Sequence, residues 1–268
     1  MHPPKPTNQI QEGLIDSFRA DRLNVYVFES RRQMGEAAAF TLAAEMRRLI
    51  AERGRAIGIF ASAPSQNEFL DALVEEHGIE WTRVIGFHLD EYLGVDEDAP
   101  QSFRRFLIER LVKRAPMAEF HSLRGEAANP EAVCANYAAL LKTRPPDFAA
   151  LGIGENGHLA FNDPPVCDFN DPAMVKVVEL DEMCRQQQVN DGAFARLEDV
   201  PRRALTLTIP AIMACPRLFV IVPGVRKQPA VREAIEGEIT EGCPASILRA
   251  HEDAHLFLDR DAAAKLRR

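Results

Sequence analysis

A histidine and a carboxylate stand close together in the segment Leu151–Pro164, LGIGENGHLAFNDP. A buried strand, expected over residues 147–153, leads into glycines that let a backbone turn sharply and approach a ligand closely. His158 and Asp163 then follow within a few residues. A histidine in this position can act as a general acid–base that a nearby carboxylate orients. The simpler alternative is a glycine turn with a surface histidine.

A second group with chemical potential, Asp90-Glu91-Tyr92, directly follows the predicted strand 84–89 (VIGFHL). A carboxylate at the carboxyl end of a strand can supply the base that removes a proton next to a carbonyl group. The alternative is an acidic turn in contact with solvent, which most isolated pairs of acids form because charged residues are usually exposed.

A third segment, Ser62 to Gln66, joins the predicted strand 56–61 to a helix. Backbone N–H groups and hydroxyls at a helix N-terminus form a suitable site for a phosphate group. The alternative is an ordinary helix start, with Ser65 as N-cap and Glu68 completing a capping box. Both interpretations can hold together, because a capped helix start can still bind an anion.

The fourth segment, Gly224-Val225-Arg226-Lys227, follows the predicted strand 218–222 and begins another helix. Lys227 there could pair with the same phosphate as a point charge, although a solvated lysine is the more common case for any single lysine. Arg185, in the polar segment after residue 180, is a second and weaker candidate for this role.

These four segments stand at the ends of strands in a chain that alternates short apolar runs with amphipathic stretches. The alternation predicts an α/β protein with a mostly parallel open sheet and helices on both faces, a modified Rossmann-like arrangement. We expect one domain over residues 21–268 and an N-terminal extension over residues 1–20. Ligands of such folds bind outside the carboxyl ends of the strands. Strands are predicted at 23–28, 56–61, 84–89, 148–153, 174–180, 204–208, 218–222 and 255–258, and helices at 30–53, 65–76, 101–113, 130–142 and up to 235.

Composition limits the function classes. The 268 residues carry a net charge of −8 and no long basic block, which argues against non-specific binding to nucleic acid or to a membrane surface. No apolar run reaches membrane-spanning length, and the polar first thirteen residues do not resemble a signal peptide. The five cysteines are scattered without metal-ligand spacing, which is typical of reduced packing residues in a cytoplasmic protein. We expect no metal and no cofactor.

In their order along the chain, these motifs resemble the glucosamine-6-phosphate deaminase/isomerase family, a branch of the fold shared with 6-phosphogluconolactonase. The resemblance covers about residues 25–258, and the DEY and GHLAFNDP runs favour the deaminase branch over the lactonase branch. The motifs that carry it are GFHLDEYLG (86–94), PQSFRRFL (100–107), LGIGENGHLAFNDP (151–164), ALTLTIP and VPGVRK (222–227).

The resemblance implies conversion of a 2-amino-2-deoxyhexose 6-phosphate, of the glucosamine or galactosamine type, into a ketohexose 6-phosphate and ammonia, without metal or redox cofactor. Asp90 would move a proton between C2 and C1 of the sugar. His158 would act on the ring oxygen during ring opening, and Asp163 would orient that histidine or stabilise its charge.

The remaining site residues follow from the same resemblance. Ser62, Ala63 and Ser65 would surround the phosphate group, assisted by Lys227 and Arg185. Family members occur both as monomers and as larger assemblies, so a homo-oligomer is compatible with the resemblance.

The sequence departs from the family pattern at three places. Asn156 stands where the family usually has an aspartate, and an amide cannot accept a proton or supply charge. The phosphate loop has Ala63 and Pro64 in place of paired glycines, and proline removes one backbone donor. Val166 and Met174 replace the serine and arginine of the family's allosteric site, so allosteric activation is not expected.

Two other function classes stay open at this point. A hydrolase of sugar-phosphate lactones would use His158 as its base and would not need Asp90. A sugar-phosphate-binding protein with little catalysis is compatible with Asn156 and with the glycine-poor phosphate loop.

Overall fold

The computed structural model describes residues 12–267, which form an open eight-stranded sheet with helices on both faces and a separate three-stranded sheet. The strands are β1 (Leu14–Ala20), β2 (Leu23–Phe28), β3 (Ala56–Phe60), β4 (Val84–His88), β5 (Asp90–Tyr92), β6 (Glu119–His121), β7 (Phe148–Leu151), β8 (Val175–Glu179), β9 (Arg203–Leu207), β10 (Arg217–Val222) and β11 (Ala254–Asp259). The α-helices are α1 (Arg31–Arg53), α2 (Asn67–Glu75), α3 (Phe103–Leu107), α4 (Pro130–Thr143), α5 (Glu182–Asn190), α6 (Ile209–Met213), α7 (Gln228–Glu236) and α8 (Arg260–Ala263).

The large sheet has the strand order β1-β2-β11-β10-β7-β3-β4-β6. All its pairings are parallel except that of β1 with β2, which is antiparallel. The predicted fold class is therefore confirmed. The four segments that the sequence analysis selected follow β10, β7, β3 and β4, which are consecutive neighbours in the sheet. Their side chains consequently meet at one edge, as the carboxyl ends of adjacent parallel strands must.

Two apolar layers hold the large sheet between its helices. On one face, Met34 and Leu42 of α1 pack with phenylalanines of the sheet such as Phe60 and Phe148, all of them buried. On the other face, side chains of α4 and α7 pack against aliphatic residues of the same strands. Because both faces are covered, the central strands are buried along their whole length, which is typical of parallel sheets.

The second sheet differs from the prediction. β8 and β9 were expected to belong to the mostly parallel sheet, but they pair antiparallel with each other, and β9 pairs antiparallel with β5. This small sheet takes Asp90 out of the turn expected after β4 and places it on a strand beside Thr206. Strand partners are chosen by the tertiary structure, so a local pattern of residues does not reveal them.

Three smaller differences between the prediction and the structure concern single elements. Leu14–Ala20, within the expected N-terminal extension, is the edge strand β1, while residues 1–11 of that extension lie outside the described residues. The strand predicted at 255–258, the last in the predicted series, was expected to close the sheet, but β11 lies between β2 and β10. The helix expected over 101–113 is divided into α3 and a π-helical turn, Ile108–Val112.

Within residues 12–267, no helix has the length and apolar character needed to cross a bilayer.

Candidate active site

A cleft opens at the carboxyl edge of the large sheet, where the four segments meet. Among the residues that line it are Ser62, Ala63, Ser65, Asp90, His158 and Lys227, together with Phe103, Phe161, Gln187, Gln188 and Asp191. Six of the predicted site residues therefore line the same cleft.

His158 is held against the end of β7 by the glycine turn. The N–H of Gly154 donates to the carbonyl of His158 at 2.9 Å, and the imidazole lies directly over Gly154. A Cβ at position 154 would lie 2.2 Å from ring atoms of His158, so a side chain there would displace the histidine. Gly157 has a φ of +85°, a conformation that L side chains rarely adopt. The turn thus explains why glycines precede the histidine.

Asp163 is the fully buried carboxylate behind His158. Its Oδ1 lies 2.8 Å from Nδ1 of the imidazole and accepts a hydrogen bond from Nδ2 of Asn156 at 3.0 Å. Its Oδ2 accepts from the backbone N–H of Asp181 at 3.1 Å. Burial would raise the pKa of Asp163, but the His158 charge and the bonds from His158, Asn156 and Asp181 outweigh it and hold the pKa below its usual value. Asp163 is therefore a carboxylate that stays ionised.

Asp90, on β5, faces the same cleft. It is also buried, but its surroundings differ from those of Asp163. Its Oδ1 has no hydrogen-bond partner among the described residues. Burial, with a smaller contribution from the neighbouring charge of Glu91, raises its pKa well above the usual value. An unpartnered buried carboxylate is costly unless a ligand uses it. This environment suits a group that exchanges a proton with a substrate, as expected of a base in an active site.

Glu91, the other member of the acidic pair, points into the protein and anchors the start of α3. Its two carboxylate oxygens accept bonds at 2.8–3.1 Å from four donors: the backbone N–H groups of Tyr92, Phe103 and Arg104 and the hydroxyl of Ser102. The solvated acidic turn that was the alternative interpretation of residues 90–92 is wrong, because both carboxylates are buried.

Ser62 and Ser65, from the loop after β3, line the cleft in different ways. The hydroxyl of Ser62 donates to the carbonyl of Phe103 at 2.9 Å, and so part of its bonding capacity serves the protein. The capping box expected from Ser65 and Glu68 is absent: α2 begins without a side-chain cap, and Glu68 pairs with Arg31 at 2.7 Å instead. The Ser65 hydroxyl is consequently not used for capping the helix.

Lys227 contributes a cation to the cleft that is mostly buried, with 8% of the residue exposed. Burial lowers its pKa, while the nearby carboxylates of Asp191 and Glu155 oppose that shift. The residue follows Gly224, whose φ is +97° and whose N–H is fixed by Asp259 at 2.9 Å. The solvated lysine that was the alternative interpretation is therefore wrong.

Arg185 does not line the cleft. Its guanidinium donates to the carbonyl groups of Leu197 and Val200, at 2.6 and 3.1 Å, and so supports the segment that follows α5. The expectation that Arg185 binds phosphate is corrected by this placement, since the side chain does not line the cleft and donates to two carbonyl groups instead.

Sequence reasoning missed three residues that line the cleft, Gln187 and Gln188 of α5 and Asp191 directly after it. Gln187 accepts from the N–H of Glu155 at 2.7 Å, which fixes α5 against the loop after β7. Arg226 adds a second connection, with Asp191 at 2.7 Å and Glu155 at 3.1 Å. The polar character of residues 181–200 was the one available signal, and it did not select these side chains.

The residues that could jointly hold a metal ion, within the part of the chain that the structure describes, are His158, Asp163 and Cys184. One ligand atom of each lies within 4.8 Å of the others. Burial, followed by the charge of Asp163, raises the pKa of the Cys184 thiol well above its usual value, which favours a protonated thiol, and a metal there would compete with the 2.8 Å contact between His158 and Asp163.

Together, these features define an α/β protein with its cleft at the carboxyl edge of a parallel sheet and two carboxylates, a histidine and a lysine around it. Residues 29–257 match the family model described as glucosamine-6-phosphate isomerases/6-phosphogluconolactonase. The chain belongs to this family.

Curated relatives and solved structures agree with that assignment. A glucosamine-6-phosphate deaminase of Exiguobacterium sp. strain AT1b is 37% identical over 193 residues, 72% of this chain and 74% of the relative. One of Bacillus cereus strain G9842 is 35% identical over 71% of each chain. Among solved structures, a monomeric glucosamine-6-phosphate deaminase has a TM-score of 0.81 at 28% identity and covers 90% of this chain and 99% of its own. A 6-phosphogluconolactonase from Shewanella baltica has a TM-score of 0.72 at 20% identity, with 92% and 99% covered, and shows the shared fold.

Proposed function

We propose that this protein converts a 2-amino-2-deoxyhexose 6-phosphate, with glucosamine 6-phosphate as the first candidate, into a ketohexose 6-phosphate and ammonia. The observation that carries the proposal is that an unpartnered carboxylate, Asp90, and an oriented histidine, His158, face one cleft that also holds the buried cation of Lys227. The curated relatives named above support the same reaction.

Ring opening would be the work of His158. The hemiacetal oxygen must gain a proton as the ring opens, and the hydroxyl at C1 must lose one. An imidazole whose Nδ1 is held by Asp163 leaves Nε2 as the nitrogen available to a substrate, and a carboxylate in that position stabilises the charged ring. His158 then acts as the general acid–base of this step.

Isomerisation would be the work of Asp90. In the open chain, the aldehyde at C1 makes the proton on C2 acidic, and the carboxylate removes it. The C1 oxygen takes a proton from the substrate's own ammonium group and becomes a hydroxyl, and return of the C2 proton to C1 leaves an iminium group at C2. Addition of water and departure of the amino group then give the ketone and ammonia. These steps transfer protons and water, with the reduction of C1 balanced by the oxidation of C2.

The phosphate group would lie between Lys227 and the loop after β3. Lys227 supplies the charge, and Ser65, Ala63 and Ser62 supply the hydroxyl and backbone surroundings. Holding the phosphate fixes C1 and C2 relative to Asp90, and this type of positioning accounts for a large part of catalysis in general. Arg185 has no part in this proposal, because it bonds elsewhere.

The direct test is ammonia release from glucosamine 6-phosphate and galactosamine 6-phosphate, measured with purified protein at high concentration. We expect release from at least one of the two sugars. Release from neither, with both sugars bound, would contradict the proposal and favour the binding-protein hypothesis.

A second candidate activity is hydrolysis of a sugar-phosphate lactone, which the two-part description of the family supports. It would need His158 as a base and would leave Asp90 without a function, although Asp90 is the unpartnered carboxylate of the cleft. Assay of 6-phosphogluconolactone hydrolysis beside the ammonia assay distinguishes the two activities.

A further inference from the structure

The position that departs most from the family pattern, Asn156, bonds two carboxylates at once. Its Nδ2 donates to Oδ1 of Asp163 at 3.0 Å and to Oδ2 of Asp181 at 3.3 Å. Its Oδ1 accepts from the N–H of His158 at 3.1 Å. An amide group provides both a donor and an acceptor, so one side chain can satisfy all three neighbours. An aspartate could satisfy only the acceptor function.

Asp181 is the second carboxylate that Asn156 bonds. It directly precedes α5, its backbone N–H donates to Asp163 at 3.1 Å, and its carboxylate lies beside Asn156. The sequence analysis assigned it no function. Because the carboxylates of Asp163 and Asp181 both accept a hydrogen bond from Nδ2 of Asn156, they are close neighbours of like charge. Such a pair is stable only where donors lie between its members.

We propose that Asn156 and Asp181 are a matched pair of positioning residues: the amide holds the two carboxylates side by side and keeps Asp163 directed at His158. In this chain, asparagine at position 156 therefore belongs to the catalytic arrangement, and an aspartate there would be incompatible with Asp181. The inference rests on the proposed function of His158 and Asp163.

The charged and titratable groups around Asp163 determine the direction in which its pKa should change when Asn156 is replaced. His158 faces it from the loop after β7, and Asp181 and Cys184 face it from the start of α5, with Asp90 further away across the cleft. His158 is the only group of these four that can bring a positive charge. Replacing Asn156 with aspartate removes a donor and adds a negative charge, so Asp163 would hold a proton more tightly.

The test compares Asn156→Asp, Asp181→Asn and the double variant. We expect Asn156→Asp to lower kcat/KM by roughly tenfold or more, because Asp163 loses a donor and His158 loses part of its orientation. The double variant removes the added charge and gives the carboxylate at position 156 a donor from position 181, but Asp163 still lacks its donor, so it should recover part of that loss. Asn156→Asp combined with Glu182→Gln is the matched control: Glu182 is exposed in the first turn of α5, and its neutralisation should not restore activity.

A second measurement needs no substrate. The ¹³C resonance of the Asp163 carboxyl group, followed against pH, should titrate higher in Asn156→Asp and lower in Asp181→Asn, which removes a negative charge beside it. Wild-type activity in Asn156→Asp, failure of Asp181→Asn to rescue it, or an unchanged Asp163 titration in both single variants would overturn the inference. Absence of ammonia release by the wild-type protein would instead count against the proposed function, and the carboxyl titration would still decide the positioning proposal.

Discussion

Asp90 faces the cleft, and Asp163 lies behind His158. Both carboxyl groups are buried, but they differ in their hydrogen-bond partners and in the direction of their pKa shifts. Asp90 has an oxygen without a partner among the described residues, and its pKa is raised. Asp163 is bonded by His158, Asn156 and the backbone of Asp181, and its pKa is lowered. A carboxylate that must exchange protons and one that must stay charged need these two environments, and such pairs separate the base of an active site from its electrostatic support.

Replacement of Asp90 with asparagine should have the largest effect. The amide keeps the shape but cannot accept a proton, so we expect ammonia release to fall by roughly 10³-fold, within the usual range for a general base. The measurement is kcat for ammonia release, with binding of a ketohexose 6-phosphate followed by calorimetry as the control. Retention of more than a tenth of the activity would mean that another group takes the proton.

Replacement of Asp163 with asparagine should cost less, roughly 10²-fold in kcat/KM, because it weakens the orientation and charge of His158 without removing it. Sugar rings also open slowly in water without help, which limits the loss. Asp168→Asn, on the exposed loop that follows, is the matched control. An effect of Asp163→Asn equal to that of Asp90→Asn would remove the proposed division of labour.

Replacement of Lys227 with methionine should act on binding. We expect KM for the sugar phosphate to rise by about 10- to 100-fold, the usual value of a bond to a charged group, with a smaller change in kcat. Lys113→Met is the control, because it removes an exposed lysine that directly follows the π-helical turn and does not line the cleft. An unchanged KM would place the phosphate group elsewhere in the cleft.

Replacement of Glu91 with glutamine should mainly affect stability. Four donors converge on this carboxylate, and an amide leaves at least one without an acceptor, so urea denaturation should show a loss of about 1.5–3 kcal/mol. Removal of the charge also lowers the pKa of Asp90, since Glu91 helps to raise it. Asp90 gains activity as pH rises through its pKa, so the acid limb of the activity profile should move to lower pH in this variant. A profile that moves to higher pH would contradict the assignment of the limb to Asp90.

The sequence was sufficient to place the site because its signals are local. Glycines, an acid or a lysine directly after an apolar run show where a strand ends, and the parallel sheet then brings those ends together, as with His158 and Lys227. The fold class followed from the same alternation. The bounds of several elements were also predictable to within a few residues, as in the strand at Leu23–Phe28.

What the sequence could not predict depends on partners far along the chain. Asp90 and Glu91 are adjacent and chemically alike, and only the direction of β5, fixed by its pairing with β9, sends one into the cleft and the other beneath α3. Arg185 suited a phosphate site by type and position, yet two carbonyl groups after α5 bind it. The significance of Asn156 depends on Asp181, twenty-five residues later.

The most direct test of the contrast between the two carboxylates is a ¹³C NMR titration of the aspartate carboxyl groups, with the resonances assigned from Asp90→Asn and Asp163→Asn. We predict that Asp90 titrates well above the ordinary range of an aspartate and Asp163 below it. An Asp90 resonance that titrates at or below the ordinary value, or an Asp163 resonance that titrates above that of Asp90, would contradict the proposed roles of both residues.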